Sequence, residues 1–548
     1  MGIDMKMNIK NIFSAVAAAA MLTACVGDLN TIPLNPTDVT SETAYGADEE
    51  GYVQGLTKIY FQLVSNNTQD LEVADGGASE FILAFWSTQE VTADAAKCAW
   101  GDAWVNDLNN NTWKGDVLND AVYAVYVRTL QGITYVNEYL RQTSDDNLSL
   151  RGCSAEVKAK VQEYRAEARF LRAFFYWAAL DTFGQVPFST ENSPFGGGYN
   201  PPQASRAEVF DYVVSELIDL ASDGSAMPAA QSNYPRADKG SCLGLLARMY
   251  LNAEVYTGTA MWEDAKAVCE KIFALGYKLA PTHAELFRGD NGENPDAKGE
   301  FLFAASYNAE HTQSYGGTTY LTLSTLSGDD GAVHITGING GWAGNRVPYE
   351  YVQKFFTDVK NPDYAEGTYD WTDKRASYFY IKGRSESMQD NLNTFLNGWS
   401  CIKFNNVPHD VDPVDYASTA ATKNFSDIDW PLIRLGEINL IYAEACMHAG
   451  GNASAQVKAL TDRAGVSAPK TIDADFLMAE RARELMWEGH RRTDLIRYGK
   501  WISGYNWTYK GGNFGGQDLP AHFNIFPVPS TELSTNPDLE QNPNYARP

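Results

Sequence analysis

Apolar residues recur at three- and four-residue intervals along most of this chain, the spacing that lines one face of an α-helix. In the run 157–180, Tyr164, Ala168, Leu171 and Phe175 share one such stripe, and Phe183-Gly184 closes it. Asp238 is placed to cap a helix in which Cys242, Leu245, Leu246 and Met249 follow the i, i+3, i+4, i+7 rule. Trp262, Ala265, Cys269 and Ile272 predict the next helix, stopped by Gly276. Helices are also predicted over 49–64, 118–141, 206–220, 349–356, 475–488 and 492–498. Asp429-Trp430-Pro431 reads as the opening of another, with Pro near the first turn and Ile438, Ile441, Tyr442 and Ala445 as its apolar face. Helix pairs with small Ala positions resemble tetratricopeptide hairpins, but the periods are irregular. The pattern therefore predicts a mainly α fold: a scaffold of helical hairpins rather than a regular solenoid.

Residues 306–348 break the pattern. They carry Gly316, Gly317, Gly328, Gly331, Gly337, Gly340, Gly341 and Gly344 and show no sustained helical periodicity. Clustered Gly marks irregular backbone that approaches its neighbours closely. Tyr315 precedes one Gly pair and Trp342 follows another. Such rings have little local cover, so each either anchors the loop to the core or faces a ligand. The region up to about residue 115 also reads as polar and irregular, with Trp86, Trp100, Trp104 and Trp113 set among Asn, Asp and Thr. Minor strands are expected within 378–403. The Pro- and Asn-rich tail, with Pro527-Val528-Pro529 and Gln541-Asn542-Pro543, is expected to lie along the surface as an extended strap. With no low-complexity linker in the chain, one domain is the simplest organisation.

The N-terminus falls outside this scheme. Lys6 and Lys10 precede an apolar run that leads into Leu22-Thr23-Ala24-Cys25. A basic start, a short apolar stretch and small residues before a cut describe an export signal. Leu-Thr-Ala-Cys resembles the bacterial lipobox; an ordinary signal peptide is the alternative. Residues 1–24 are thus expected to be removed and Cys25 to be acylated. Residues 25–40 would then form a flexible lipid-anchored leash ahead of one domain ending at residue 548. The formal charge of −26 argues against nucleic acid as a partner. The six remaining Cys form no CxxC or Cys/His cluster, so no zinc site is expected, and Cys242, Cys269 and Cys446 fall on apolar helix faces.

No catalytic signature appears: there is no GxSxG, HExxH, P-loop or strand-linked GxGxxG. Carboxylate pairs suited to glycoside hydrolysis have no specificity among 69 acidic residues. The run Asp290-Asn291-Gly292-Glu293-Asn294-Pro295-Asp296 is rich enough in oxygen for a structural Ca²⁺ but lacks EF-hand spacing, and a solvated turn is the simpler reading. No cofactor is expected otherwise. Arg481, Arg483, Arg491, Arg492 and Arg497 alternate with Glu480, Glu484, Glu488 and Asp494, which suggests surface ion pairs that tie helices together.

Several motifs converge on one family. Cys25 followed by Asp28-Leu29 and Pro33 is similar to the lipidated start of SusD/RagB proteins. The resemblance continues through Arg165-Ala166-Glu167-Ala168-Arg169-Phe170-Leu171-Arg172-Ala173 and Asp181-Thr182-Phe183-Gly184-Gln185-Val186-Pro187. It runs on through Arg236-Ala237-Asp238-Lys239, Pro431-Leu432-Ile433-Arg434-Leu435 and Glu484-Leu485-Met486-Trp487-Glu488-Gly489-His490-Arg491-Arg492-Thr493-Asp494-Leu495. It ends with Phe526-Pro527-Val528-Pro529 and Gln541-Asn542-Pro543-Asn544-Tyr545. The starch-binding branch of the family is resembled most closely. There, Ser314-Tyr315-Gly316-Gly317-Thr318-Thr319-Tyr320-Leu321, Asn339-Gly340-Gly341-Trp342 and Ala99-Trp100 look like the segments that bear three sugar-stacking aromatics.

The resemblance implies a single α-rich domain with an irregular ligand-binding face and minor β structure. It implies non-catalytic binding of starch or maltooligosaccharides by Trp100, Tyr315 and Trp342. Asp102, Asn339, Asn345 and Arg346 are the candidate polar contacts. It further implies an outer-membrane, cell-surface lipoprotein of a Bacteroidetes-type bacterium, serving a SusC-like TonB-dependent transporter. At Ala103 the chain departs from the starch-binding branch, which offers an amide there; Asp102 and Asn106 are the neighbouring polar side chains. A family member that binds another glycan or a peptide, and a secreted glycosidase, are the competing expectations.

Overall fold

The computed structural model describes residues 41–66, 77–196, 198–389, 391–418 and 423–548. The expected signal segment, the acylated Cys25 and the leash lie outside the described residues.

The chain is mainly helical, and its helices pack as successive antiparallel neighbours. Asp120–Gln142 lies along Ala155–Phe183, the longest helix among the described residues. They approach closely at Gly132, where a Cβ would sit 2.5 Å from the Phe175 ring. Ala155–Phe183 packs on Arg206–Ala221, which packs on Lys239–Leu251. Next come Trp262–Ala274 and Leu435–Ala449. Asp238 caps its helix as expected, accepting from Gly240 N at 2.8 Å and Ser241 N at 3.2 Å. Gly184 and Gly276, both at positive φ (76° and 86°), follow the ends of their helices. Cys242, Cys269 and Cys446 are buried, and all six described cysteines are free.

The segment read as the start of a helix at Trp430 is a strand. Trp430–Arg434 pairs antiparallel with Phe301–Ala305, Trp430 opposite Ala305 and Arg434 opposite Phe301. Every residue of both strands is buried, so neither shows the alternation that marks a half-exposed strand. Gly244 lets the helix Lys239–Leu251 rest on this ribbon: a Cβ there would lie 2.7 Å from Ile433 Cγ2 and 2.9 Å from Leu302 Cδ2. The helix proper begins at Leu435.

Two regions read as irregular are more ordered than expected. Phe81–Trp86 is a wholly buried helix that runs into a buried π-turn, Ser87–Val91, and Ala103–Asn110 is a further helix. Its polar residues are inside because they bridge distant segments: Glu90 Oε1 accepts from Gly489 N at 2.8 Å and His490 N at 3.0 Å. Within 306–348, Gly317–Leu323 is a buried helix. The minor strands expected within 378–403 are Phe379–Tyr380 and Ser400–Cys401, paired antiparallel.

The Arg/Glu-rich C-terminal segment is a buried electrostatic core rather than a surface lattice. Arg434, 1% exposed, bonds Glu300 at 2.9 Å, Glu484 at 2.8 Å and Glu488 at 2.7 Å. Arg375 joins Glu480 at 2.8 Å and Glu484 at 3.0 Å. Burial opposes charge on Glu484, but Arg463, Arg434 and Arg375 outweigh it and hold the carboxyl well below its usual value. The tail runs back across the molecule with one short helix, Ser530–Thr535. Trp113 Nε1 donates to Tyr545 Oη at 2.9 Å, and Asn542 Nδ2 donates to Phe183 O at 2.8 Å and Phe526 O at 2.6 Å.

Candidate functional site

Trp342 is held by backbone hydrogen bonds as well as by packing of its ring against the core. Trp342 N donates to Leu323 O at 2.9 Å, Ala343 N to Leu326 O at 2.9 Å, and Gly344 N to Ser324 O at 2.7 Å. The Gly-rich return stroke is thereby laced onto the end of the helix Gly317–Leu323, with Ala343 in the left-handed region (φ 52°). Gly341 has no side chain because backbone fills the space: a Cβ would lie 2.5 Å from the Ser327 carbonyl carbon. The indole is left half-buried at the edge of this structure.

Tyr315 stands at the other end of the same helix, immediately before Gly316-Gly317. It is 56% exposed. Its ring centroid lies 6.1 Å from that of Trp342, the planes tilted by 58°, and 5.1 Å from that of Phe425, tilted by 49°. Trp100 arrives from the other side. Ala99 N donates to Gly344 O at 2.9 Å, and the Trp100 ring packs edge-on against Tyr320 at 5.9 Å. The indole N–H of Trp100 is spent on a protein carbonyl, so what remains to face solvent is ring surface. Three aromatics from separate segments thus share one half-exposed patch.

The polar candidates divide. Asn339 is exposed; its N–H donates to Lys423 O at 3.0 Å and its amide to Asn424 Oδ1 at 3.1 Å. Asp102 is exposed at the N-cap of Ala103–Asn110, and its carboxylate makes no capping bond. Asn106 gives its amide to Gly101 O at 3.0 Å. Asn345 and Arg346 are corrections: both are 0% exposed and point inward. Asn345 Nδ2 donates to Ser324 Oγ at 2.9 Å. Arg346 donates to three carbonyls, Thr394 O at 2.6 Å, Asn397 O at 3.0 Å and Leu392 O at 2.6 Å. Burial pushes its guanidinium down to about 10. Neither side chain reaches the surface; both pair in a short ribbon, Asn345 opposite Cys98 and Arg346 opposite Lys97, that brings Trp100 to the loop. The loop that Arg346 clamps returns the support, since Asn393 Nδ2 donates to Ala99 O at 3.1 Å.

Phe425 and Asn424 were not foreseen. They follow a polar stretch with no periodicity, and nothing in their local pattern marks them; the pairing of Ile338 with Lys423 and the bond from Ser426 N to Thr319 Oγ1 at 3.0 Å carry them to the patch. In the oxygen-rich run, Asn291 is wholly buried and gives its amide to Leu286 O and Asp429 O at 2.8 and 2.7 Å. Asp290 Oδ2 is hydrogen-bonded to His409 Nδ1 at 2.6 Å, which holds that imidazole above its usual value. Among the described residues no helix is long and apolar enough to cross a membrane.

A patch of tilted rings with amides and a carboxylate at its rim suits a ligand with an apolar face and a polar edge, as a pyranose has. Comparison with known proteins bears on which. Residues 280–545 match the family model described as the SusD family, and residues 70–251 match one described as starch-binding associating with outer membrane. The chain is 30% identical to the starch-binding protein SusD of Bacteroides thetaiotaomicron, over 98% of this chain and 99% of that one. Among solved structures, a SusD superfamily protein from Bacteroides vulgatus superposes with a TM-score of 0.66 at 17% identity, covering 91% of this chain and 99% of the other. Surface glycan-binding protein A from Bacteroides thetaiotaomicron, in complex with laminarihexaose, gives 0.64 at 18% identity, covering 90% and 99%.

Proposed function

This chain belongs to the SusD family, and we propose that it binds starch-type α-1,4-glucan chains on Trp100, Tyr315 and Trp342 without cleaving them. The observation that carries this reading is that the three aromatic residues come together in one half-exposed patch, although Trp100 and Trp342 are 242 residues apart in the chain. Rings tilted to one another form a curved wall, and curvature matches the turn of an amylose helix better than a flat chain. Each stacked sugar contributes on the order of 1 kcal/mol, by analogy with other aromatic contacts. Affinity is then modest for a short oligosaccharide and rises with the number of rings engaged. Asp102, Asn339 and Asn424 supply polar contacts at the rim. Acylation at Cys25 would tether the protein to an outer membrane at the cell surface, where it passes glucan to a SusC-like TonB-dependent transporter.

The test is retention in native affinity gels. Amylopectin is expected to retard the wild-type protein, and Tyr315→Ala and Trp342→Ala to migrate freely while keeping the wild-type melting temperature. Both variants retarded like wild type would remove the aromatic patch from consideration. Retardation by laminarin but not by amylopectin would move the assignment to a β-linked glucan, the ligand class of the relative that holds laminarihexaose. Reducing sugar released from maltoheptaose by the pure protein would make it an enzyme.

A further inference from the structure

Glu80 stands at the N-terminal boundary of the helix Phe81–Trp86, but its side chain does not cap that helix. It is 0% exposed and turns instead toward the loop that carries Tyr315. There its two carboxyl oxygens are hydrogen-bonded to Tyr307 Oη and Ser314 Oγ, one to each. Ser314 Oγ in turn accepts from Gly316 N at 3.0 Å. The residue between Ser314 and Gly316 is Tyr315, the exposed ring of the patch. The turn beneath that ring is built onto the carboxyl. A Cβ at Gly316 would lie 2.1 Å from Glu80 Oε2, and at Gly317 (φ +53°) it would lie 2.0 Å from Tyr307 Oη and 2.6 Å from Glu80 Oε1. The double glycine is thus explained by the acid under it.

We propose that Glu80 is a positioning residue: by filling the space beneath the Ser314–Gly317 turn and holding Tyr307 and Ser314, it sets where the Tyr315 ring stands and so governs glycan affinity without touching the glycan. This rests on the reading of Tyr315 as a glycan-stacking residue.

The surroundings of Glu80 make the device sensitive to pH. Arg128, whose Nε donates to Ser79 O at 2.7 Å, is the cation that faces it. Tyr307 faces it from the loop, and Asp429 lies behind Tyr307, accepting from Tyr307 N at 2.8 Å. Burial outweighs Ser314, Tyr307 and Arg128 and pushes the Glu80 carboxyl up to about 8. At neutral pH the turn therefore rests on a neutral acid. Above about 8 the same site holds a charge, which Ser314, Tyr307 and Arg128 favour but burial opposes, so water entering under the turn would stabilise it further.

The experiment uses the full chain, with Glu80→Gln and Glu80→Ala, from about pH 6.5 to about pH 9. Two readouts are taken: calorimetric affinity for maltoheptaose, and amide hydrogen exchange in peptides spanning 314–323, each variant compared with wild type at the same pH. Wild type is expected to lose affinity by about fivefold or more across that range and to exchange faster in 314–323 than Glu80→Gln does at the high end. Glu80→Gln, which keeps a neutral group of the same shape, is expected to hold neutral-pH affinity throughout. Glu80→Ala is expected to bind weakly at every pH. Parallel affinity and exchange profiles for wild type and Glu80→Gln would overturn the proposal, and they decide it even if Glu80→Ala does not fold. If wild type binds no maltoheptaose, the α-glucan assignment has failed, and the exchange comparison alone decides whether Glu80 holds the turn.

Discussion

Trp100 Nε1 donates a hydrogen bond to the carbonyl oxygen of Trp342 at 2.9 Å. The Trp100 ring is therefore fixed to the backbone that carries the Trp342 ring, by a bond that uses neither ring face. Trp100→Phe keeps an aromatic face and deletes the donor. It is expected to cost about 1 kcal/mol of stability and, by loosening the Trp100 ring, to raise the dissociation constant for maltoheptaose roughly fivefold. Calorimetry measures this directly, and equal affinities would show that the bond does not couple the rings.

Gly344 serves the same pair by its lack of a side chain. A Cβ there would stand 2.7 Å from Trp100 Cε2 and Cζ2, closer than packed atoms tolerate. Gly344→Ala is expected to push the indole off its seat, weakening glucan binding about tenfold while costing about 1–3 kcal/mol of stability from overpacking. Affinity gels and urea denaturation report the two effects separately.

Arg434 answers three buried carboxylates at once. Burial opposes its charge, but Glu488, Glu484 and Glu300 raise the guanidinium well above its usual value. Arg434→Met leaves those acids without their shared cation and is expected to destabilise the protein by about 3–5 kcal/mol. Adding Glu488→Gln to that variant should recover part of the loss, because the buried cluster, in which Lys403 also pairs with Glu488 at 2.6 Å, then carries one negative charge fewer. A shift in urea midpoint checks both steps.

Glu90 gives a pH dependence of known sign. Its Oε2 is buried without a hydrogen-bond partner. Burial pushes its carboxyl up to about 7, against the N–H groups of His490 and Gly489 and the charge of Arg491. The folded state therefore holds this proton where the unfolded chain has lost it. Between the ordinary glutamate value of about 4.3 and about 7, stability due to Glu90 falls as pH rises, by about 3–4 kcal/mol in all. Glu90→Gln keeps an acceptor for the two N–H groups and removes the titration. Melting curves across that window should slope less for the variant; parallel curves would contradict the assignment.

The hairpin scaffold was legible because its helices are amphipathic, and a 3.6-residue period survives any tertiary context. Trp430–Arg434 was not, because a short run buried on both faces carries no period to separate strand from helix, and Pro431 fits the first turn of a helix equally well. The Arg/Glu alternation announced ion pairs but not their depth, since charge pattern says nothing of what covers it. In the site, Tyr315 and Trp342 were marked by flanking Gly pairs, whereas Trp100 was found through family resemblance. Asn345 and Arg346 looked like contacts because they are polar residues in a Gly-rich loop. Their side chains turn inward because Arg346 supplies donors to the carbonyls of a neighbouring loop, Leu392, Thr394 and Asn397, and Asn345 bonds Ser324 Oγ. Phe425 and Glu80 act only through pairing with segments far away in sequence, which local pattern cannot express.

The bond from Trp113 to Tyr545 spans 432 residues, and Asn542 closes on Phe183 across 359. On a ribosome, the first partner of each pair is made long before the second. The early helices must therefore wait with Trp113 and the end of the longest helix uncovered, exposing apolar surface that is hidden only when the tail arrives. Folding of this chain is paced by loop closure over nearly its whole length, which favours slow assembly and gives chaperones an extended interval in which to act.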